Sequence, residues 1–588
     1  LEPKTPPDAR QSDTTRHPTR RDLLKLAAAA GAAGTLLAAG CGTDDAAPTP
    51  DAGASGGTGG AGGAGGAGGG AAPDAGPDAA LTDDLPRPEY TGEPGPEGLY
   101  RHGVASGDPL PDAVILWTRL SELSGEAEVE VFWEISVRPD FLVRIAVGTI
   151  VASAARDFTV KVDATGLPAG TSLYYRFHAL GRVSPVGRTR TAPSADAVVE
   201  RLRLALTSCA SIGHGYYHTF RELSTQPDLD AVVHVGDYIY EYENGRYGDA
   251  RETEPRHECV TLTDYRTRYA QHRADAWCQA AHRQHPFICV WDDHESCNGA
   301  WRDGAENHDE AVSGPWADRK AAAMQAWHEW LPVREQADGR IFRGFAFGDL
   351  VDLSMLDTRL WGRDRQNGDA VDDPARTLLG RDQEAWLSAR LIGATARWRL
   401  IGQQVMMGHL RFRASENLPL GVLNFDQWDG YAPARQRLFD VITDNGLKNV
   451  VVLSGDIHSS WANELTPDPN DPAVYDPATG AGAVAVEFVG TSITSPGLAA
   501  LQPALLDRVR AANPHVRWVD ISKRGWLALD ITPARVQGTW MHFERIREEN
   551  PPQVPYVGGV WAVRDGVPRL VEEAEPAAPR ADAPPLAG

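Results

Sequence analysis

Cysteine is scarce in this chain. Six occur in 588 residues, and Cys259, Cys278, Cys289 and Cys297 crowd together without the paired CxxC spacing of a structural zinc site. Cationic residues are outnumbered, 57 Lys and Arg against 80 Asp and Glu, for a formal net charge of -23. That balance argues against nucleic-acid backbones, which need basic surface, and no specific nucleic-acid site is expected. It leaves room for a small anionic ligand, because bound cations can reverse the local field. Long apolar runs are also missing. Beyond the glycine-rich segment described next, no stretch of 18 apolar residues appears, so no membrane span is expected there.

Hydrophobic residues make up 42% of the chain, with 17 Trp, enough for a substantial core and for two or three domains. Residues 1–41 read as an export signal. Thr19-Arg-Arg-Asp-Leu-Leu-Lys25 is a charged lead, and an Ala/Leu-rich stretch follows from Leu26 to Ala39. The adjacent Arg20 and Arg21 resemble a twin-arginine signal, so the twin-arginine export machinery is an expected partner and a periplasmic or extracellular location is expected. Leu37-Ala-Ala-Gly-Cys41 resembles a lipoprotein cleavage box, although Ala38 is not the favoured residue there. Cys41 would then carry lipid and attach the chain to a membrane; the alternative is a leader cleaved elsewhere. Residues 42–97 are rich in Gly, Ala and Pro and read as a flexible linker. In an exported chain the clustered cysteines are compatible with one or two disulfides.

Residues 98–195 predict a small all-β domain. Ala113–Thr118, Val129–Ile135 and Leu173–Ala179 are strand-like, in the pattern of a fibronectin-type sandwich. From 200 to 560 short apolar strands alternate with helical stretches, including Tyr265–His282, Arg319–Leu331, Gly380–Leu391 and Arg435–Asn445, which predicts a layered α/β domain. Residues 561–588 read as a C-terminal tail.

Four of the apolar strands end in polar clusters: Thr207-Ser-Cys209, Gly236-Asp237, Asp292-Asp-His-Glu295 and Gly455-Asp456. Ligand sites in α/β sheets form at strand C-termini, which places Cys209, Asp237, Asp293 and Asp456 on one rim. Tyr240 and His458 follow at short spacing. Thiolate, phenolate and imidazole suit a metal such as iron better than magnesium; carboxylates suit a harder ion such as calcium or manganese. Two adjacent cations can activate water and clamp phosphoryl oxygens.

Gly236-Asp-Tyr-Ile-Tyr240, Asp293-His-Glu295 and Gly455-Asp-Ile-His458 resemble the metal-binding blocks of calcineurin-like metallophosphoesterases. More narrowly, the chain resembles the PhoD-like alkaline phosphatase/phosphodiesterase family. Gly103–Pro109, Ile115–Arg119, Met355-Leu-Asp-Thr-Arg359, Asn424–Tyr431 and Glu487–Ser492 extend the match, which runs from about 100 to 545. The resemblance implies a β-sandwich followed by a four-layer α/β/β/α metallophosphoesterase domain, and phosphate monoesters or diesters as substrates. Carried over, Cys209, Asp237, Tyr240 and His458 would hold one Fe3+, with Asp237 bridging, and Asp293 and Asp456 would hold Ca2+, one or two ions. A metal-bridging hydroxide would be the nucleophile, without a covalent phosphoenzyme.

His294 is a candidate phosphate contact or leaving-group acid, or else orients a ligand. Arg266 is a candidate grip on phosphate through its planar fork; Arg268 is its rival, and a salt bridge on a solvated helix is the alternative. Asn298 is a candidate oxygen ligand. Asp292 is less suited, since adjacent strand side chains point apart. His409 is either a ligand or structural. Ser296-Cys-Asn-Gly299 departs from the family pattern and leaves the calcium side open. A surface binding module and a metal hydrolase of another ester are the rival classes. A monomer is expected.

Overall fold

Alternation of side chains decides where the strands sit and which layer each faces. The structure, a computed structural model, describes residues 83–366, 370–412, 420–422, 424–497 and 503–588. The export signal, Cys41 and most of the linker therefore lie outside the described residues. No described helix is long and apolar enough to cross a membrane.

The N-terminal strands are β1 (Val104–Gly107), β2 (Ala113–Arg119), β3 (Glu128–Ser136), β4 (Arg144–Ser153), β5 (Thr159–Thr165), β6 (Ser172–Ala179), β7 (Arg182–Val183) and β8 (Gly187–Arg190). β3, β4, β6, β7 and β8 make one sheet, which packs on β1, β2 and β5. Val114, Leu116, Val160 and Val162 meet Val129, Val131, Leu173 and Phe177 in a core of their own. Neighbours in sequence face the other way: Ala105 and Trp117 belong to the main core, and the Trp117 indole N–H donates to the Glu329 carbonyl at 2.8 Å.

The larger region adds β9 (Leu202–Thr207), β10 (Ala231–His234) and β11 (Pro286–Cys289), then β12 (Arg343–Phe347), β13 (Val351–Met355), β14 (Trp398–Gly402), β15 (Arg411–Phe412), β16 (Gly421–Val422), β17 (Val450–Ser454), β18 (Ser460–Leu465), β19 (Ala485–Val489) and β20 (Val516–Asp520). β21 (Arg524–Thr532), β22 (Arg535–Phe543), β23 (Tyr556–Arg564) and β24 (Val567–Glu572) complete it. Among the described residues two large sheets form. One runs β24-β23-β22-β21-β9-β10-β11-β1-β2-β5, the other β12-β13-β14-β17-β19-β18-β20. They pack face to face through Leu206, Leu527, Phe488 and Trp540.

On β17, Val451 and Leu453 point into that shared layer, while Val450 and Val452 point outward onto Leu438, Phe439 and Ile442 of the helix Ala432–Asp444 and Leu387 and Leu391 of the helix Arg381–Gly393. The helices Leu262–Ala274, Ala276–Gln284 and Trp316–Trp330 pack against the other sheet through Tyr269, Cys278, Ala281, Trp327 and Trp330. This is the expected four-layer α/β/β/α arrangement preceded by an all-β region.

Four expectations change. The N-terminal sandwich is not closed off: β1 pairs in parallel with β11, Ser106 opposite Pro286 and Gly107 opposite Phe287, so one of its sheets is continuous with the main sheet. The single helix expected over Tyr265–His282 is two, because Asp275 takes an extended ψ of 127° and caps the second helix by accepting from the N–H groups of Trp277 and Cys278. The expected tail begins inside β23 and continues through β24, and its last residues dock: Tyr174 donates to the Pro585 carbonyl at 2.8 Å. Finally, the five described cysteines are all buried free thiols, so none of the disulfides considered forms among them.

Candidate metal centre

The C-terminal ends of β9, β10 and β11 in one sheet and of β17 in the other meet at a common edge. Each strand ends in a sharp turn. Cys209, Asp237, Asp456 and His458 have φ of 60°, 56°, 61° and 55°, left-handed backbone that costs a non-glycine residue free energy and recurs at functional sites. Gly236, at φ 107°, permits the close approach of Asp292, since a Cβ there would sit 2.4 Å from the Asp292 Cβ.

These turns bring donor atoms of Cys209, Asp237 and His458 within 4.8 Å of one another. Tyr240 closes the group. Its hydroxyl donates to Asp237 Oδ2 at 2.9 Å and lies 3.1 Å from His458 Nε2. Ser495 Oγ donates to the Tyr240 oxygen at 2.7 Å, and His458 Nδ1 lies 2.8 Å from the Pro496 carbonyl. Tyr247 stacks on the Tyr240 ring at a centroid distance of 4.9 Å, and His294 lies over its ring at 4.2 Å.

Donor atoms of Asp237, Asp293 and His294 form a second such group, and those of Asp292, Asp293 and Asp456 a third. Asp237 and Asp293 therefore each stand in two groups. Asp292, doubted from the sequence, joins the site because its side chain is turned in at the end of β11. His294 Nδ1 pairs with Glu241 Oε2 at 2.7 Å, and the same carboxylate accepts from the Asn298 backbone N–H. Asn298 thus adjoins the site through its backbone.

Burial and mutual repulsion govern the electrostatics. Burial pushes the Cys209 thiol and the Tyr240 phenol well up, and the Asp237 charge adds to both. Burial likewise raises the Asp237 carboxyl; His294 opposes this, and Asp292, Asp293 and Glu295 reinforce it. Asp456 is pushed up to about 6, by burial first, with Arg359 opposing and Asp426 and Asp293 reinforcing. Burial and then Arg524 hold the His458 imidazole down, at about 3, in the neutral form that ligates metals. Cys209, Tyr240, Asp237 and Asp456, buried together and resisting ionisation, are what cations would relieve. The donor set fits two unequal ions: thiol, phenol, imidazole and carboxylate on one side, carboxylates alone on the other.

Three candidates are engaged elsewhere. Arg266 has its partners outside the cluster. Its Nε and Nη2 each donate at 2.7 Å to Glu329, and Nη2 also reaches the Ala155 carbonyl. The guanidinium is spent on tying the helix Leu262–Ala274 to the helix Trp316–Trp330 and the sandwich, so it is not the phosphate grip expected. Arg268, the rival, is buried and donates to the backbone carbonyls of Tyr240, Tyr242, Glu254 and Pro255, bracing the loop that carries Tyr240. His409 sits in a separate buried network with Asp429, Arg435 and the Pro467 carbonyl.

Sequence reasoning missed three residues. The Glu295 carboxylate accepts from the backbone N–H groups of Asp237, Tyr238 and Asp292, locking the β10 and β11 turns together. Glu241 orients His294. Arg359, fully buried in the segment that follows β13, donates to Asp292, to Asp456 at 2.8 Å and to both oxygens of Asp426. Glu295 and Arg359 lie inside the motif blocks noted above, and an acid or a guanidinium beside a ligand block was the available signal.

Comparison with known proteins fits this geometry. The family model for PhoD-like phosphatase matches residues 204–540, and that for the PhoD-like phosphatase N-terminal domain matches 91–193. The chain belongs to the PhoD-like phosphatase family. Alkaline phosphatase D of Bacillus subtilis (strain 168) is 38% identical over 453 residues, 73% of this chain and 75% of that protein. A solved structure of PhoD matches with a TM-score of 0.75 and 34% identity, over 84% of this chain and 94% of the other. As a PhoD-like phosphatase the protein is a phosphoric ester hydrolase with alkaline phosphatase function.

Proposed function

We propose that the protein is an exported, metal-dependent alkaline phosphatase/phosphodiesterase that holds Fe3+ at Cys209, Asp237, Tyr240 and His458 and Ca2+ at Asp293 and Asp456, with Asp237 shared. The observation that carries this is the convergence of two chemically different donor groups on Asp237 and Asp293. When bound, such a pair of cations supplies Lewis acidity toward phosphoryl oxygens and activates water. The chain's own residues do the rest. Glu295 and Gly236 fix the turn that presents Asp237. Glu241 engages Nδ1 of His294, which sets the ring's tautomer and direction; His294 then contacts the phosphate or gives a proton to the leaving oxygen.

Export rests on the Arg20-Arg21 leader, and lipid attachment on Cys41. Cell fractionation of the parent and of an Arg20→Lys, Arg21→Lys variant tests the first: the variant should stay in the cytoplasm.

The catalytic reading is tested by measuring metal content, visible absorption and turnover of p-nitrophenyl and bis-p-nitrophenyl phosphates on one preparation. About one iron per chain with a tyrosinate-like band, calcium, and hydrolysis of at least one ester are expected. A colourless, iron-free and fully active protein would overturn the ferric assignment. Unchanged turnover after complete removal of metals would overturn the metal dependence.

A further inference from the structure

We infer that Arg359 is a positioning residue of the carboxylate half-site: its guanidinium holds Asp292, Asp426 and Asp456 in the arrangement that takes up a divalent cation. This rests on the metal reading just given.

Every nitrogen of the Arg359 fork goes to a different carboxylate. Nε donates to Asp292 Oδ1, Nη2 to Asp456 Oδ1 at 2.8 Å, and Nη1 to Asp426 Oδ1 and Oδ2 at 3.0 and 2.9 Å; Asp293 Oδ1 lies 3.7 Å from Nη2. The three partners come from the turn after β11, the turn after β17 and the segment Asn424–Tyr431. A planar group with donors in fixed directions can set the spacing of three carboxylates; a point charge on a flexible stem cannot.

The fork is itself fixed. Its backbone N–H donates to Asp357 Oδ1 at 2.8 Å. The preceding Thr358 donates from both backbone and hydroxyl to Gln404 Oε1, and Gln404 Nε2 reaches the Trp291 carbonyl next to Asp292. On the far side, Arg363 donates to the Asp426 carboxylate and carbonyl.

Charge shows what the arrangement is for. Four carboxylates, Asp292, Asp293, Asp426 and Asp456, face two guanidiniums, Arg359 and Arg363. The guanidiniums keep the carboxylates from spreading without cancelling their charge. Asp292 Oδ2 is buried without a hydrogen-bond partner, an acceptor left over beside Asp293 and Asp456. A cation completes the set where a third guanidinium would have closed it.

The test compares the purified holoenzyme with Arg359→Met, Arg359→Lys and Asp426→Asn. Each is dialysed against graded calcium buffers, and retained calcium, iron, visible absorption and thermal midpoint are measured. Outer partners of metal ligands are worth about 10–100-fold in affinity. Arg359→Met should therefore keep its iron and absorption band but need at least about tenfold more free calcium for half-occupancy. Arg359→Lys, which keeps the charge and loses the fork, should fall between it and the parent. Should Arg359→Met not fold, Asp426→Asn decides, because it removes the outer anchor of the fork; weaker calcium retention is expected. A variant with a lower thermal midpoint and the parental calcium midpoint would overturn the positioning role and leave the metal reading intact. A parent that retains no divalent ion would overturn both.

Discussion

Asp237 is the residue on which the centre turns. It shares one group of donor atoms with Cys209 and His458 and another with Asp293 and His294. Replacing it with Asn keeps the shape, removes the charge and puts an N–H where an acceptor stood. Since partners one shell further out already cost about 10–100-fold, Asp237→Asn should lower kcat by at least about 100-fold. The circular dichroism spectrum should stay native, because the Glu295 hydrogen bonds to the backbone of this turn survive. Residual activity near the parental level would contradict the shared-ligand role. Arg266 gives the opposite expectation. Its guanidinium is committed to Glu329, so Arg266→Ala should leave KM and kcat for both nitrophenyl esters within about twofold while lowering stability. Loss of a partly buried partner of a buried carboxylate costs about 1–3 kcal/mol. A large rise in KM would restore Arg266 to the substrate site. The contrast shows what was readable residue by residue. Cys209, Asp237, Asp293, Asp456 and His458 lie at the ends of apolar strands, so their convergence follows from local pattern and the geometry of sheets. Arg359 meets partners 67 and 97 residues away, and nothing in its own neighbourhood reveals them. Arg266 fails for the same reason, since Glu329 is 63 residues distant.

At the scale of single elements, strands with alternating faces were legible to within a residue or two, as β2, β3 and β6 show, whereas the helix break at Asp275 was not. An Asp within a polar stretch is equally at home on a helix surface and as an N-cap; here it caps, accepting from the N–H groups of Trp277 and Cys278, and His282 of the second helix packs on Phe287 and Tyr238. One element carries a pH dependence that the sequence does not announce. Glu134 on β3 receives Arg144 Nη1 at 3.2 Å, Arg176 Nε at 2.5 Å and His178 Nε2 at 2.9 Å from the neighbouring strands. Burial works against its ionisation, but the His178 hydrogen bond and the Arg176 charge outweigh it and hold the carboxyl at about 2, against 4.5 ordinarily. A carboxyl lowered in the folded state stabilises that state fully above its unfolded value. The stabilisation is therefore intact above about pH 4.5 and drains away as the pH falls from there toward 2. Glu134→Gln should lower the thermal midpoint at neutral pH, and the gap from the parent should narrow across that acidic window. A gap that stays constant from pH 7 to pH 3 would mean that the strand is held by packing alone.

Across the whole molecule, the continuity of one sheet through both regions has the largest consequence. From sequence the all-β stretch over 98–195 looks like a domain of its own, because its strand-like runs are short and follow one another closely in the chain. The parallel pairing of β1 with β11 spans some 180 residues and leaves no local trace. It makes the N-terminal region the wall of the catalytic one. Without β1, β2 and β5, the edge of β11 would expose its backbone N–H and C=O groups, an invitation to intermolecular pairing. Trp327 and Trp330, now packed in one core with Ala105 and Trp117, would lose that cover. The C-terminal residues would lose Tyr174, to which Pro585 is bound. Burying a side chain of this size contributes about 1.5–3 kcal/mol, and several are uncovered together, against a net stability of about 5–15 kcal/mol for a whole domain. A chain beginning at Ala195 should therefore be recovered mainly in the insoluble fraction, and any soluble part should lack a cooperative thermal transition. The metal ligands are all retained in that chain, so the outcome separates two ideas of the N-terminal region. A soluble truncated protein with the parental midpoint and turnover would make it an accessory. An insoluble one makes it part of the scaffold that holds Asp292 and Asp293 at the end of β11.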